Sequence, residues 1–133
     1  MNVYNEVLKS VILLVMENLD LYSNIVIGPL PPDNGISLTW GSGSLNTFLS
    51  KNSAVEMQAV LNGKNSDQKI VSDTLGNIHI FLNSLRDYPI SDTYQITNIE
   101  TIRPPFYLER EENRQWLYAS SLSIKFYLKN KED

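Results

Sequence analysis

The chain has no cysteine in its 133 residues. That excludes disulfide staples, zinc–thiolate sites and a thiol nucleophile, and it fits a reducing compartment. Histidine occurs once, at His79. Positive charge is scarce: 11 Lys and Arg against 15 Asp and Glu leave a net charge of −4. Shedding counterions from nucleic-acid phosphates needs a basic field, and the chain as a whole lacks one. Long apolar runs are missing too. The longest wholly apolar run, Val11 to Met16, is closed by Glu17, far short of the roughly 20 residues that span a bilayer. The start, Met1-Asn2-Val3-Tyr4-Asn5-Glu6, lacks the basic region and small-residue cleavage site of a signal peptide, so synthesis in the cytosol is expected.

What is present reads as one folded domain over residues 1–133. Apolar residues at 42% and charged residues at 20% are ordinary globular values. The length supports one core without staples.

The strongest pattern lies near the C-terminus. Trp116, Tyr118, Ser120, Leu122, Ile124, Phe126 and Leu128 alternate with Leu117, Ala119, Ser121, Ser123, Lys125 and Tyr127. Period-2 alternation of that length predicts one long strand with a large apolar face. Two amphipathic helices are available to cover it. In the first, over residues 2–19, Tyr4, Leu8, Val11, Ile12, Val15 and Leu19 share a stripe, with Asn2 or Asn5 as cap. Val3, Val7 and Leu14 fall on a second side. They pack within the domain or meet another subunit. The second helix runs from about Gln68 to Arg86, capped by Ser66 or Asp67. Its inner face is Ile70, Val71, Leu75, Ile78, Phe81, Leu82 and Leu85. Gly76, Ile80 and Asn83 form a strip on its back, at a cost of about 1 kcal/mol for the glycine. That strip is a candidate approach surface for a neighbouring chain.

The other strands are shorter. Asn24–Ile27 is one, followed by a proline-rich turn ending in Asp33-Asn34-Gly35. Ile36–Trp40 is a second, broken by the Gly41-Ser42-Gly43-Ser44 loop. Val55–Leu61 is a third, stopped at Asn62-Gly63-Lys64-Asn65. Tyr94–Arg103 is a fourth, stopped at Pro104-Pro105. The charged stretch Phe106–Arg114 then forms the tip of a hairpin with the last strand. Lys129–Asp133 is a polar, frayed tail. The expected fold is therefore α+β, a mostly antiparallel sheet of about four to five strands packed against two main helices.

Catalytic chemistry is hard to place. The Gly41–Ser44 stretch has neither the Lys-Ser/Thr nor the helix-opening spacing of a phosphate loop. His79 sits beside the apolar stripe of its helix without partners near it in sequence. Glu109, Glu111 and Glu112 lie with Arg110 and Arg114 on a solvated tip, where ion pairs between subunits are a better use than acid–base work. No catalytic, metal or cofactor-binding residue is assigned. The candidate subunit-interface residues are Val3, Val7, Leu14, Gly76, Ile80, Asn83, Arg110, Glu111 and Arg114.

The order of elements resembles the small minor capsid and tail-terminator proteins of the head–tail joining region of long-tailed bacteriophages and prophages. The end of the chain carries most of the likeness. There Tyr94-Gln95-Ile96-Thr97-Asn98-Ile99 leads through Pro104-Pro105-Phe106-Tyr107 and the acidic Glu109–Glu112 segment to Trp116-Leu117-Tyr118 and Ile124-Lys125-Phe126-Tyr127. The Ala54–Asn62 strand and the Ile78–Tyr88 helix end add to it. The resemblance implies a virion structural subunit without cofactor, present in the host cytoplasm during assembly. Its expected partners are further copies in a ring, commonly hexameric, and tail-tube and head-connector proteins. Membrane insertion and sequence-specific nucleic-acid binding are not expected. The acidic net charge suits a DNA conduit, which a strongly basic lumen would obstruct.

Two other readings compete. A small-molecule-binding domain would need an enclosed pocket lined by Trp40, Tyr94 or Tyr118 with convergent polar groups. An adaptor taking a partner's strand would need free backbone along Ile36–Trp40 or the final strand.

Overall fold

The computed structural model describes residues 2–47 and 54–129. Helix α1 spans Val3–Asn18, and Asn2 caps it by accepting the Tyr4 amide at 2.7 Å. Five residues of α1 are buried: Val7, Leu8, Val11, Ile12 and Val15. Val7, expected on a second side, is fully buried. The apolar arc of α1 is wider than the stripe suggested, and Val7 belongs to the core.

Strand β1 is Ile25–Val26, β2 is Ile36–Thr47, β3 is Ala54–Asn65, β4 is Tyr94–Arg110 and β5 is Trp116–Leu128. Helix α2, Gln68–Asn83, lies between β3 and β4. The sheet order is β1-β2-β3-β5-β4, with β1 parallel to β2 and every other pairing antiparallel. The fold is α+β, as expected, and β5 sits between two partners from Trp116 to Tyr127.

Three strands outrun their sequence punctuation. β2 continues through Gly41-Ser42-Gly43-Ser44, with register shifts between Trp40 and Ser44 and between Ser44 and Asn46. The glycines accompany bulges, as glycine in a strand often does, and the segment is not the loop expected. A Cβ on Gly41 would sit 3.3 Å from the Gln58 carbonyl oxygen. β3 continues through Gly63 to Asn65, where it pairs with Trp116. Gly63 is there because α2 comes down on it: a Cβ would meet Val71, Leu75 and the Tyr22 hydroxyl at 3.0–3.1 Å. β4 continues through Pro104-Pro105 to Arg110. It is an edge strand, where a missing amide costs no ladder bond, and four register shifts absorb the mismatch with β5.

Both helices cover the same face of the sheet. Tyr4 of α1 packs edge-on against Trp40 and Phe126, with ring centroids at 6.5 and 6.0 Å. α2 reaches Gly63, donates from Gln68 to the Tyr118 hydroxyl at 2.8 Å, and meets Thr101 through His79. By register, Tyr118, Leu122, Ile124 and Phe126 share this face. Ser121 and Ser123 lie on the other, where the Ser123 hydroxyl donates to Glu56 at 2.9 Å.

α2 starts at its cap, Asp67, whose carboxylate accepts from the Lys69 and Ile70 amides at 2.9 and 3.3 Å. It ends at Asn83, short of Arg86, because side chains take its last carbonyls: Ser84 donates to Phe81 and Tyr88 to Leu82. Ile70, expected inside, is exposed in the first turn, and Phe81 and Leu85 only flank the core. Asp67→Ala is expected to lower stability by about 1 kcal/mol. A denaturant titration reads this as a shifted midpoint at unchanged slope. Of the expected polar tail, residues 130–133 lie outside the described residues.

Candidate assembly surfaces

A concave surface lies between α1 and the sheet edge at β1. Asn5, Lys9, Ile12, Leu13 and Met16 form one wall, Asn24 to Ile27 the other, and the groove holds about 590 Å³. Leu13 is 50% exposed and Ile27 43%. Lys9 makes no ion pair among the described residues. Sequence reasoning missed this surface. The row Lys9, Leu13, Met16 at i, i+4, i+7 was its one signal, and only the return of the chain through Ile25 gives that row an opposite wall. Of the expected second side of α1, Val3 is half-buried against the core. Leu14 lies in a separate shallow cleft with Ser10, Tyr88 and Pro89.

The back of α2 is the second surface. Ile80 is 68% exposed, and a Cβ on Gly76 would meet nothing within 4 Å. Asn83, the third member of the expected strip, donates to the Thr101 hydroxyl of β4 at 2.7 Å. It ties the helix to its own sheet and places this part of α2 over the β4 side. Ile102, where the β4 register slips, is 44% exposed.

His79 is not a boundary residue. It is 4% exposed, with Nδ1 2.7 Å from the Thr101 hydroxyl oxygen and Nε2 buried without a partner. The same hydroxyl accepts from Asn83, and the tautomer of the ring sets whether Nδ1 donates to it or accepts from it. Burial lowers the imidazole pKa to about 4. The unfolded ring takes up a proton below about pH 6.5 while the folded ring resists, so stability falls as pH drops from 6.5 towards 4. The expected loss at pH 5 is about 1–2 kcal/mol relative to pH 7, below the full linkage value because water screens part of the charge. Denaturant midpoints at the two pH values measure it, and His79→Leu should flatten that part of the profile.

The hairpin tip is docked and not a free solvated loop. Lys64, buried at the end of β3, pairs with Glu111 at 2.8 Å. Gln115, 4% exposed, accepts from the Asn34 amide at 2.7 Å. Asn113 donates to the Pro32 carbonyl and the Asp33 carboxylate at 3.0 Å. Glu111 thus serves an ion pair within the chain. Arg110 lies over Trp116, 5.0 Å from the ring centroid, and exposed Arg114 takes a left-handed φ of 67° in the turn.

The aromatic side chains that a ligand pocket would need have internal partners. Trp40 donates to the Tyr4 carbonyl at 3.2 Å, Tyr94 reaches the Glu6 carbonyl, and Tyr118 accepts from Gln68. The adaptor reading loses β5, which is paired on both sides, and Ile36 and Ser37, which lie between β1 and β3; Leu38–Trp40 pair with β3 on one side. Among the described residues no group of three or more His, Asp or Glu is placed to hold a metal ion. No helix of the structure is long and apolar enough to cross a membrane.

These features define an α+β protein with two helices on one face of a five-stranded mixed sheet. No family model matches the sequence, and the comparison with curated proteins finds no match. Among solved structures, a chain from the virion of a native gene transfer agent particle shares the fold. The TM-score is 0.53 at 13% identity, covering 95% of this chain and 90% of that one. At that identity the likeness is one of fold.

Proposed function

We propose that the chain is a structural subunit of a tailed-phage or prophage-derived particle: a tail-terminator or minor capsid protein that forms a ring at the head–tail junction. The observation that carries this reading is the shared fold across nearly the whole of both chains with a component of a virion structure. The exposed apolar side chains on both flanks agree with it, since such surface usually serves contacts. The reading needs no cofactor and no catalytic step. Its partners are further copies of the chain, in a ring of the hexameric kind, and tail-tube and head-connector proteins. Assembly takes place in the host cytoplasm before the subunit enters the particle.

Negative-stain microscopy tests this. The purified chain, alone or mixed with a phage tail-tube protein, is expected to give closed rings or capped tubes. Uncapped tubes and no rings would contradict it.

A further inference from the structure

The two exposed apolar surfaces lie on opposite flanks of the sheet. The groove is walled by β1, at one edge. The Ile80 ridge overhangs β4, at the other edge, where Asn83 is bonded to Thr101. Four strand spacings of about 4.8 Å separate the edges, roughly 19 Å. One flank is concave, and on the other Ile80 stands out beside the bare backbone at Gly76.

The charges are opposite as well. Lys9 lies in the groove wall without an ion pair among the described residues. Asp73 lies on the same side of α2 as Ile80, seven residues before it. Among the described residues its ion-pair partner is Lys69, in an exposed i,i+4 pair at 2.7 Å. Such a pair is worth little and gives way readily to another cation.

A contact between unlike surfaces on opposite flanks is heterologous. It repeats head to tail and closes into a ring when the rotation permits, whereas an isologous contact stops at a dimer. We infer that the occupant of the α1–β1 groove is the α2 ridge of a second copy of this chain, with Ile80 seated against Leu13, Met16 and Ile27 and Asp73 turned towards Lys9. This rests on the ring reading above and assigns its two faces. The β4 edge itself is poorly suited to continuing the sheet into a neighbour. Pro104, Pro105 and four register shifts interrupt its ladder, as in edges protected from strand pairing. Side-chain packing of a ridge in a groove needs no such ladder.

Leu13→Glu disables the groove and Ile80→Glu the ridge. Both positions are at least half exposed, so neither change threatens folding. Light scattering on wild type, on each variant and on their mixture reads the geometry. Each variant alone should be monomeric, since every contact needs one groove and one ridge. The mixture should give a dimer of one copy of each and nothing larger, because the contact it forms uses the only intact pair of faces.

The absence of cysteine allows a second measurement that does not depend on ring closure. Leu13→Cys mixed with Ile80→Cys should cross-link as a mixed pair through a short bis-maleimide, and neither should cross-link to itself. Variants that still form wild-type rings, or a mixture that stays monomeric while wild type assembles, would overturn the assignment and leave the ring reading standing. The groove would then belong to a different partner. A wild type that forms no ring and no cross-link, alone or with tail-tube protein, would overturn both.

Discussion

Phe126→Ala should destabilise the protein by about 3–5 kcal/mol, the usual cost of emptying a buried aromatic site. Phe126 is 1% exposed, at the meeting point of α1 and the far end of the sheet. Tyr4 stands edge-on to it at 6.0 Å, and Trp40 lies tilted against it at 6.0 Å. By register it sits between Val55 of β3 and Ile96 of β4, both also buried. The first turn of α1 and three strands therefore lose a partner together. Tyr4 and Trp40 are tied to each other through the backbone, so the site has little freedom to collapse. Since a domain of this size is stable by roughly 5–15 kcal/mol, the variant should unfold at much lower denaturant. A midpoint shift equivalent to less than about 1 kcal/mol would show that α1 does not seat on the sheet as described.

Glu111→Ala carries the second large effect, about 2–3 kcal/mol. Lys64 is 10% exposed and has Glu111 as its ion-pair partner at 2.8 Å. Removing the carboxylate leaves an ammonium group in a largely buried place, which costs far more than an exposed pair gains. The carboxylate side is more open, at 27%, so the value stays below that of a fully buried pair. Adding Lys64→Met removes the stranded charge and should recover most of the loss. Thermal unfolding of wild type, the single variant and the double variant makes the comparison. A double variant no better than the single would place the cost in the turn at Arg114, with φ 67°, and not in the charge.

The sequence carried the elements further than their ends. Both helices and the long final strand were legible because their periodicities are strong: Leu8, Val11, Ile12 and Val15 in α1, and Tyr118 to Phe126 in β5. The caps Asn2 and Asp67 were legible because a side-chain oxygen ahead of a helical stripe has one obvious use. Strand ends were misjudged wherever glycine or proline was taken as punctuation. Gly63 is required by the approach of α2, Gly41 lies where the register slips, and Pro104-Pro105 are tolerated at an edge. Each depends on a neighbour that local sequence does not display. His79 was misplaced for the same reason, since its burial comes from β4.

The surfaces divided similarly. The Gly76–Ile80 strip was readable from helical spacing alone. The groove was not, because it needs α1 and β1 to face each other across a loop. Glu111 read as a free charge because Lys64 is 47 residues away in sequence.

The mass of the assembled species in solution tests the account most directly. Light scattering on the wild-type chain, from dilute to concentrated and with tail-tube protein added, should find a closed multiple of the 15.2 kDa protomer that does not grow further. A mass that stays at one protomer under every condition would contradict it, as would open-ended growth with concentration.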